Sequence, residues 1–172
     1  MKKTLSLLLI IVFILSLCGC DKEDFEFLSD TDNGFADARI EQIFQSIKNH
    51  DNDSLKMTFS ESVIDCQGDN LYHSIDFLMD YVQGMPVSWS REESPIVFDT
   101  SENGEKRKQL VVWFTLHTDE QIYSVFLVDY PIDTVDPNNE GLYSLRIIKI
   151  EDEDKLEGVW NEWVTPGIYV CD

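Results

Sequence analysis

The hydrophobic period of the chain changes at Pro86, and this change restricts the fold more than any other feature of the sequence. Before it, apolar residues recur every three or four positions, which is typical of helices with one buried face. After it, they alternate or run together between turn residues, which is typical of strands. Helices followed by strands with short turns indicate an α+β domain. We therefore predict three N-terminal helices packed on a curved antiparallel sheet.

Each predicted helix carries an apolar stripe and has an identifiable end. The three helices are predicted over 35–49, about 53–64 and 70–83. Asp32 or Asn33 is placed to cap the first helix, and Asp53 or Ser54 begins the second. Gly84 ends the third helix. The apolar stripes are formed by Ile40, Ile43, Phe44 and Ile47, then Leu55 and Phe59, then Leu71, Ile75, Leu78 and Val82.

The second half of the chain reads as short strands and turns. Strands are predicted over 87–91, 96–99, 106–118, 122–130 and 142–150. The dipeptide Asn103-Gly104 predicts a tight hairpin turn. Residues 131–141 are predicted as a polar loop. In the tail, 151–172, Trp160 and Trp163 are one helical turn apart, so we expect this segment to close over the core as a lid.

Apolar residues occupy both faces of the two central strands. On 122–130, for example, Phe126 and Val128 alternate with Val125 and Leu127. Three helices cover only one face of such a sheet. The other face must therefore meet the tail, a partner or a second copy of the chain, and a homodimer through this face stays open.

The N-terminus has the layout of an export signal. Lys2 and Lys3 precede an apolar run over 5–17, which is too short to span a bilayer comfortably and suits a secretory signal. The following Leu17-Cys18-Gly19-Cys20 resembles the lipobox of bacterial lipoproteins. That resemblance implies cleavage before Cys20 and a diacylglycerol on its thiol. We thus expect a signal peptide over 1–19, an acidic tether over 20–34, one domain over 35–172, and a cell-membrane location on the extracytoplasmic face.

The charge of the chain limits its partners. The expected mature chain keeps 11 of the 13 basic residues and all 33 acidic ones, so its formal charge is −22. Nucleic acid is excluded as a partner because its binding depends on cationic contacts to phosphate. The expected partners are the lipid bilayer, through Cys20, and an unidentified protein or small-molecule ligand.

Two cysteines remain besides Cys20 in the expected mature chain, Cys66 and Cys171. Export permits a disulfide between them. Two separate thiols are the alternative, because the sequence does not report the distance between the two Cα atoms.

The chain lacks the common catalytic and cofactor motifs. It has no His-Glu-x-x-His, P-loop, dinucleotide-binding or Gly-x-Ser-x-Gly pattern. Its three histidines, His50, His73 and His117, stand apart, and zinc needs several convergent ligands. The loop that begins at Asp136 half-resembles a calcium loop, but its twelfth position is Ile147 instead of a glutamate. We predict neither a metal site nor a cofactor.

Helices followed by an antiparallel sheet, in a domain of this size, resemble the cone-shaped, cystatin-like fold of nuclear transport factor two and ketosteroid isomerase. More specifically, the chain resembles a family of uncharacterised lipoproteins of Gram-positive bacteria with that fold. The segments that carry the resemblance are 38–43, 128–130, 138–146 and 167–169. The resemblance implies fold and export, and it brings no established activity with it.

The resembled fold implies a pocket between the helices and the concave sheet. Asp129, Tyr130, Tyr123 and His117 have side chains suited to proton transfer there, although Asp129 and Tyr130 face opposite ways in a regular strand. Our leading expectation is a binding or interaction module at the cell envelope. The alternative is a small-molecule enzyme of the isomerase or dehydratase type.

Overall fold

The computed structural model of the chain describes residues 22–156 and 165–170. The expected signal peptide, Cys20, Trp160, Trp163 and Cys171 lie outside these residues. The chain divides into one compact unit that ends at Thr31 and a second that begins at Asp32. The sheet, the core and the groove described below all lie within the second unit.

Four α-helices, rather than three, precede the sheet in the described part of the chain. They are α1 Lys22–Lys48, α2 Asn52–Lys56, α3 Glu61–Gln67 and α4 Asp69–Tyr81. The expected start of the first helix at Phe35 is wrong by 13 residues. No proline or glycine interrupts the sequence between Lys22 and Asn33, so no residue type in this stretch breaks a helix.

Asp32 and Asn33 therefore lie inside α1 and do not cap it. Asp32 instead accepts a hydrogen bond from Lys108 Nζ at 2.6 Å, and both side chains are buried. This ion pair joins α1 to the sheet, so the compact unit begins three residues before the predicted domain boundary at residue 35.

The predicted second helix is divided in two by local capping. Asp51 accepts from the Ser54 N–H at 2.9 Å and begins α2. Ser60 accepts from the Val63 N–H and begins α3. Between them, Phe59 leaves the helical path and forms a parallel bridge with Leu142. Side chains that bond to nearby backbone thus override a continuous helix.

Within the described residues, six strands form one curved sheet. They are β1 Pro86–Arg91, β2 Ile96–Glu102, β3 Glu105–Thr118, β4 Ile122–Asp133, β5 Gly141–Lys149 and β6 Gly167–Val170. The order is β1-β3-β4-β5-β6. β1 pairs with the C-terminal part of the long strand β3, and β2 pairs with its N-terminal part. The predicted hairpin turn is confirmed, because Asn103 and Gly104 both have positive φ between β2 and β3.

The C-terminal third differs from the sequence prediction in two places. β4 continues to Asp133 because its last residues still pair with β3, so the predicted start of the loop at residue 131 is wrong. In the tail, Ile150–Leu156 form a 3₁₀-helix, and β6, which was not predicted, pairs in parallel with β5. Parallel pairing between distant segments leaves no local sequence signal. The lid around Trp160 and Trp163 lies outside the described residues and stays a prediction.

The core lies between the helices and one face of the sheet. The predicted stripe of α1 is confirmed, since Ile40, Ile43, Phe44 and Ile47 are buried. They join α4 residues and the inner face of the sheet in one cluster. The opposite face carries a second apolar cluster around Phe126 and Val128, as predicted. That the tail, a partner or a second copy covers this cluster stays a prediction.

Of the helices in the described part of the chain, none combines the length and apolar character needed to cross a membrane.

Candidate functional site: a polar groove beside the first helix

A groove of about 450 Å³ opens on α1 and the residues around α2, and we call it the α1–α2 groove. Its volume falls within the range of small-molecule sites. The lining residues are Arg39, Gln42, Gln45, Ser46, Asn49, Asp51, Ser54, Met57 and Thr58.

The α1 wall of the groove is a polar stripe. Arg39, Gln42, Ser46 and Asn49 follow the helical spacing i, i+3, i+7 and i+10, so they share one side of the helix. The stripe runs beside the apolar stripe that enters the core. At a rise of about 1.5 Å per residue, it extends over about 15 Å.

Arg39 is held in place by a buried carboxylate. Its Nε donates to Asp129 Oδ1 at 2.7 Å, and its Nη1 donates to Gln42 Oε1 at 2.9 Å. Asp129 is 2% exposed, whereas the Arg39 side chain is 18% exposed. Burial raises the pKa of the Asp129 carboxyl, and the Arg39 guanidinium opposes this shift. The guanidinium thus lines the groove in a fixed orientation.

The hydroxyl groups of the groove are used within the protein. Ser46 Oγ donates to the Gln42 carbonyl at 2.9 Å, and Thr58 Oγ1 donates to the Leu55 carbonyl at 2.7 Å. Ser46 and Thr58 are both buried. The amides of Gln42, Gln45 and Asn49 form the rest of the uncharged polar surface on this side. Gln42 Oε1 accepts from Arg39, and Gln45 Nε2 donates to Glu41 at 2.8 Å.

Asp51 lines the groove beyond Asn49, past the C-terminal end of α1. Its two carboxylate oxygens accept from the Ser54 N–H at 2.9 Å and the Ser54 hydroxyl at 2.7 Å. These two hydrogen bonds lower the pKa of Asp51, the backbone one more strongly. The groove therefore presents an arginine towards one end and a carboxylate towards the other.

Residues 42–150 match a family described as a domain of unknown function, DUF5104. The chain belongs to this family. No curated protein matches the chain. The matched region of the DUF5104 domain contains most of the groove and Asp129, while Arg39 precedes it by three residues.

The DUF5104 domain does not bring the four predicted site residues together. Tyr123 lies six residues from Asp129 on β4, which is about 20 Å along a strand. Its hydroxyl accepts from the Gln83 N–H at 2.7 Å and donates to the Tyr81 carbonyl at 3.3 Å. Tyr123 is fully buried, and burial raises the pKa of its hydroxyl.

Tyr130 and His117 belong to the other face of the sheet, opposite to Asp129. Tyr130 packs edge-on against Tyr143, with ring centroids 5.7 Å apart, and its hydroxyl accepts from Gln109 Nε2 at 2.8 Å. His117 pairs with Ile122 at the far end of β3 and is half-buried. Of the four candidates, Asp129 alone approaches the groove, and it does so through Arg39.

The other predicted residues that the structure describes are not among those that line the groove. Cys66 is exposed at the end of α3, and Cys171 lies outside the described residues, so their disulfide stays a prediction. His73 lines a cavity of about 310 Å³ beside β6, and His50 is exposed. Within 22–156 and 165–170, no three acidic, histidine or cysteine side chains are placed to hold a metal ion.

The half-calcium loop after β4 is organised by protein groups around Asp133. The buried Asp133 carboxylate accepts from Arg107 Nε at 2.9 Å and Asn139 Nδ2 at 3.2 Å. It also accepts from the N–H groups of Val135 and Asp136. Burial by itself raises the pKa of Asp133, but these donors outweigh it and lower the pKa below its usual range.

Proposed function

We propose that this chain is a lipid-anchored module at the extracytoplasmic face of the cell membrane, and that it binds a polar ligand in the α1–α2 groove. The observation that carries this proposal is the polar stripe of α1, which lines a cavity of ligand size and is oriented by the Arg39–Asp129 ion pair. Preorganised polar groups in a concave site fix the orientation of a small ligand and provide specificity.

Binding is favoured over catalysis because the carboxylate and hydroxyl groups suited to proton transfer already form hydrogen bonds or ion pairs within the protein. Asp129 is paired with Arg39 and is not among the described lining residues. The hydroxyls of Ser46, Thr58 and Ser54 donate to protein acceptors. The alternative, an isomerase-type enzyme, requires the Asp129 carboxylate to leave Arg39 and contact the substrate instead. A cone-shaped arrangement like that of nuclear transport factor two is part of the proposal, supported by the helices on one face of the curved sheet.

The anchor predicts selective lipidation of one cysteine. Cells grown with a radiolabelled fatty acid should incorporate label into the wild-type chain, and Cys20→Ala should abolish it because the thiol at the acceptor position of the lipobox is lost. The matched variant Cys18→Ala should keep the label, since Cys18 occupies only a small-residue position of the lipobox. Label that persists in Cys20→Ala, or a wild-type chain without label, contradicts the lipid anchor.

The groove predicts which substitution removes ligand binding. The lipid-anchored chain, extracted in detergent, is screened by thermal unfolding against amino acids, short peptides, sugars, nucleosides and organic acids. Compounds that raise the melting temperature of the wild type should not raise that of Asn49→Trp, because an indole at Asn49 fills the groove. A ligand at 100 times its Kd stabilises the folded state by about 2.7 kcal/mol, which gives a shift of several degrees.

Asn70→Trp provides the matched control for this screen. Asn70 is an exposed asparagine of α4 and does not line the groove, so the variant should respond to ligands like the wild type. The groove is excluded as the binding site if the active compounds stabilise Asn49→Trp as strongly as Asn70→Trp.

A further inference from the structure

The charges of the α1–α2 groove are few and lie apart. Of the described residues that line it, Arg39 carries the positive charge and Asp51 the negative charge, while the others are uncharged. Asn49 follows Arg39 by ten positions, and Asp51 follows two residues later, just past the end of α1. At a rise of about 1.5 Å per residue, the backbone positions of the two charged residues are about 15 Å apart.

This spacing matches a short extended peptide. An extended chain advances about 3.3–3.6 Å per residue, so four residues cover the distance between Arg39 and Asp51. A free peptide of this length carries a carboxylate at one end and an ammonium group at the other. The charge pattern of the groove is complementary to that of such a zwitterion.

The walls between the two ends also suit peptide groups. Gln42 Oε1 and Gln45 Nε2 are engaged within α1 by Arg39 and Glu41. Gln42 Nε2, Gln45 Oε1 and the Asn49 amide provide the donors and acceptors that successive N–H and C=O groups require. Met57 borders the groove and is 81% exposed. Its flexible thioether side chain can pack against ligand side chains of different shapes.

Arg39 is prepared for a carboxylate by its existing bonds. Asp129 engages Nε, and Gln42 engages Nη1, so the guanidinium plane is fixed before a ligand arrives. Arginine holds up to five donors in one plane and binds carboxylates in bidentate geometry. A ligand carboxylate that shares this guanidinium needs no reorganisation of the site.

We propose that the α1–α2 groove binds a zwitterionic peptide of about four residues, with its carboxylate at Arg39 and its ammonium group at Asp51. This inference rests on the proposed function of the groove and specifies the class of its ligand. The orientation follows from the two opposite charges, and the length follows from their separation.

The test compares three probes by titration calorimetry on the detergent-extracted, lipid-anchored chain: tetraalanine, tetraalanine amide and N-acetyl-tetraalanine. Tetraalanine should bind, and the affinity of each capped peptide should be lower by a factor of about ten or more, because each lacks one charge-assisted contact. The capped peptides remove these contacts without altering the protein, so a folding defect cannot mimic the result.

Two variants assign the ammonium end. Asp51→Asn should bind tetraalanine and N-acetyl-tetraalanine with equal affinity, because the groove has lost the charge that recognises the free amine. Asparagine also caps helices, so α2 is retained. Asp53→Asn, a neighbouring exposed acid that does not line the groove, should keep the wild-type preference.

Equal affinity of the wild type for all three peptides, an effect of one cap only, or absence of peptide binding overturns the inference. The proposed function fails separately. If compounds in the thermal screen lose their effect in Asn49→Trp while the peptides do not bind, the groove is a ligand site of another class. If no screened compound depends on Asn49, both proposals fall.

Discussion

Replacing Arg39 with alanine should lower the free energy of unfolding by about 3–5 kcal/mol at neutral pH, because it leaves the Asp129 carboxylate buried without its counter-charge. Asp129 is 2% exposed, and Arg39 Nε lies 2.7 Å from its Oδ1. Urea unfolding of wild type and variant, followed by circular dichroism, measures the difference.

The loss should shrink as the pH falls. Burial already raises the pKa of Asp129, and removing the Arg39 guanidinium takes away the interaction that opposes this rise. In the folded variant, the Asp129 carboxyl therefore binds a proton at pH values above about 3.9, the pKa of an aspartate in the unfolded state. The stability of the variant therefore increases as the pH falls from neutral through the folded-state pKa. Asp133 has a lowered pKa, so its contribution to stability decreases as the pH falls. This contribution is the same in wild type and variant and cancels when their free energies of unfolding are subtracted.

Arg91→Ala is the matched control for this measurement. Arg91 also joins an acid of α1, Asp37, but that carboxylate is 41% exposed, and exposed pairs contribute only about 0–1 kcal/mol. Similar losses for Arg39→Ala and Arg91→Ala would contradict a buried ion pair at Asp129. So would a loss from Arg39→Ala that grows on acidification.

Gly141→Ala should lower the free energy of unfolding by about 2–4 kcal/mol, since it combines backbone strain with a collision. Gly141 has φ +130, and a Cβ there would lie 2.8 Å from Ser60 N. The approach is close because Ser60 N donates to the Leu142 carbonyl and Leu142 N donates to the Thr58 carbonyl. Thr58 lines the groove, so displacing this segment should also weaken ligand binding. Chemical denaturation and the thermal screen read the two effects.

Gly34→Ala gives the opposite expectation for the same chemical change. Gly34 lies in α1, and a Cβ there would meet nothing within 4 Å. Alanine should therefore stabilise the chain by about 0.5–1 kcal/mol through its helix propensity. If Gly141→Ala is as stable as the wild type, the close contact between β5 and the segment before α3 is not present.

Local signals of the sequence predicted much of the fold. The stripe Ile40, Ile43, Phe44 and Ile47 identified the buried face of α1, and Asn103-Gly104 identified the β2–β3 hairpin. Each of these features depends on neighbours a few residues apart. β6 and the bridge of Phe59 to Leu142 depend on pairing between distant segments, and neither has a local pattern.

The site was harder to predict for the same reason. Arg39 and Asp129 are 90 residues apart, so no spacing in the sequence connects them. The polar stripe from Arg39 to Asn49 is visible in the sequence as a second helical period, but polar helix faces usually meet solvent. It becomes a groove wall because Asp51 caps α2 and brings Met57 and Thr58 to the other side.

Hydrogen exchange on the detergent-extracted, lipid-anchored chain tests the central claim, that the α1–α2 groove is the ligand site. Exchange is compared with and without the compound that gives the largest rise in melting temperature. We expect the ligand to slow exchange chiefly across residues 39–58, in the last turns of α1 and around α2. Slowing confined to the outer face of β2 and β3, over residues 96–113, would contradict it and place the ligand on the sheet.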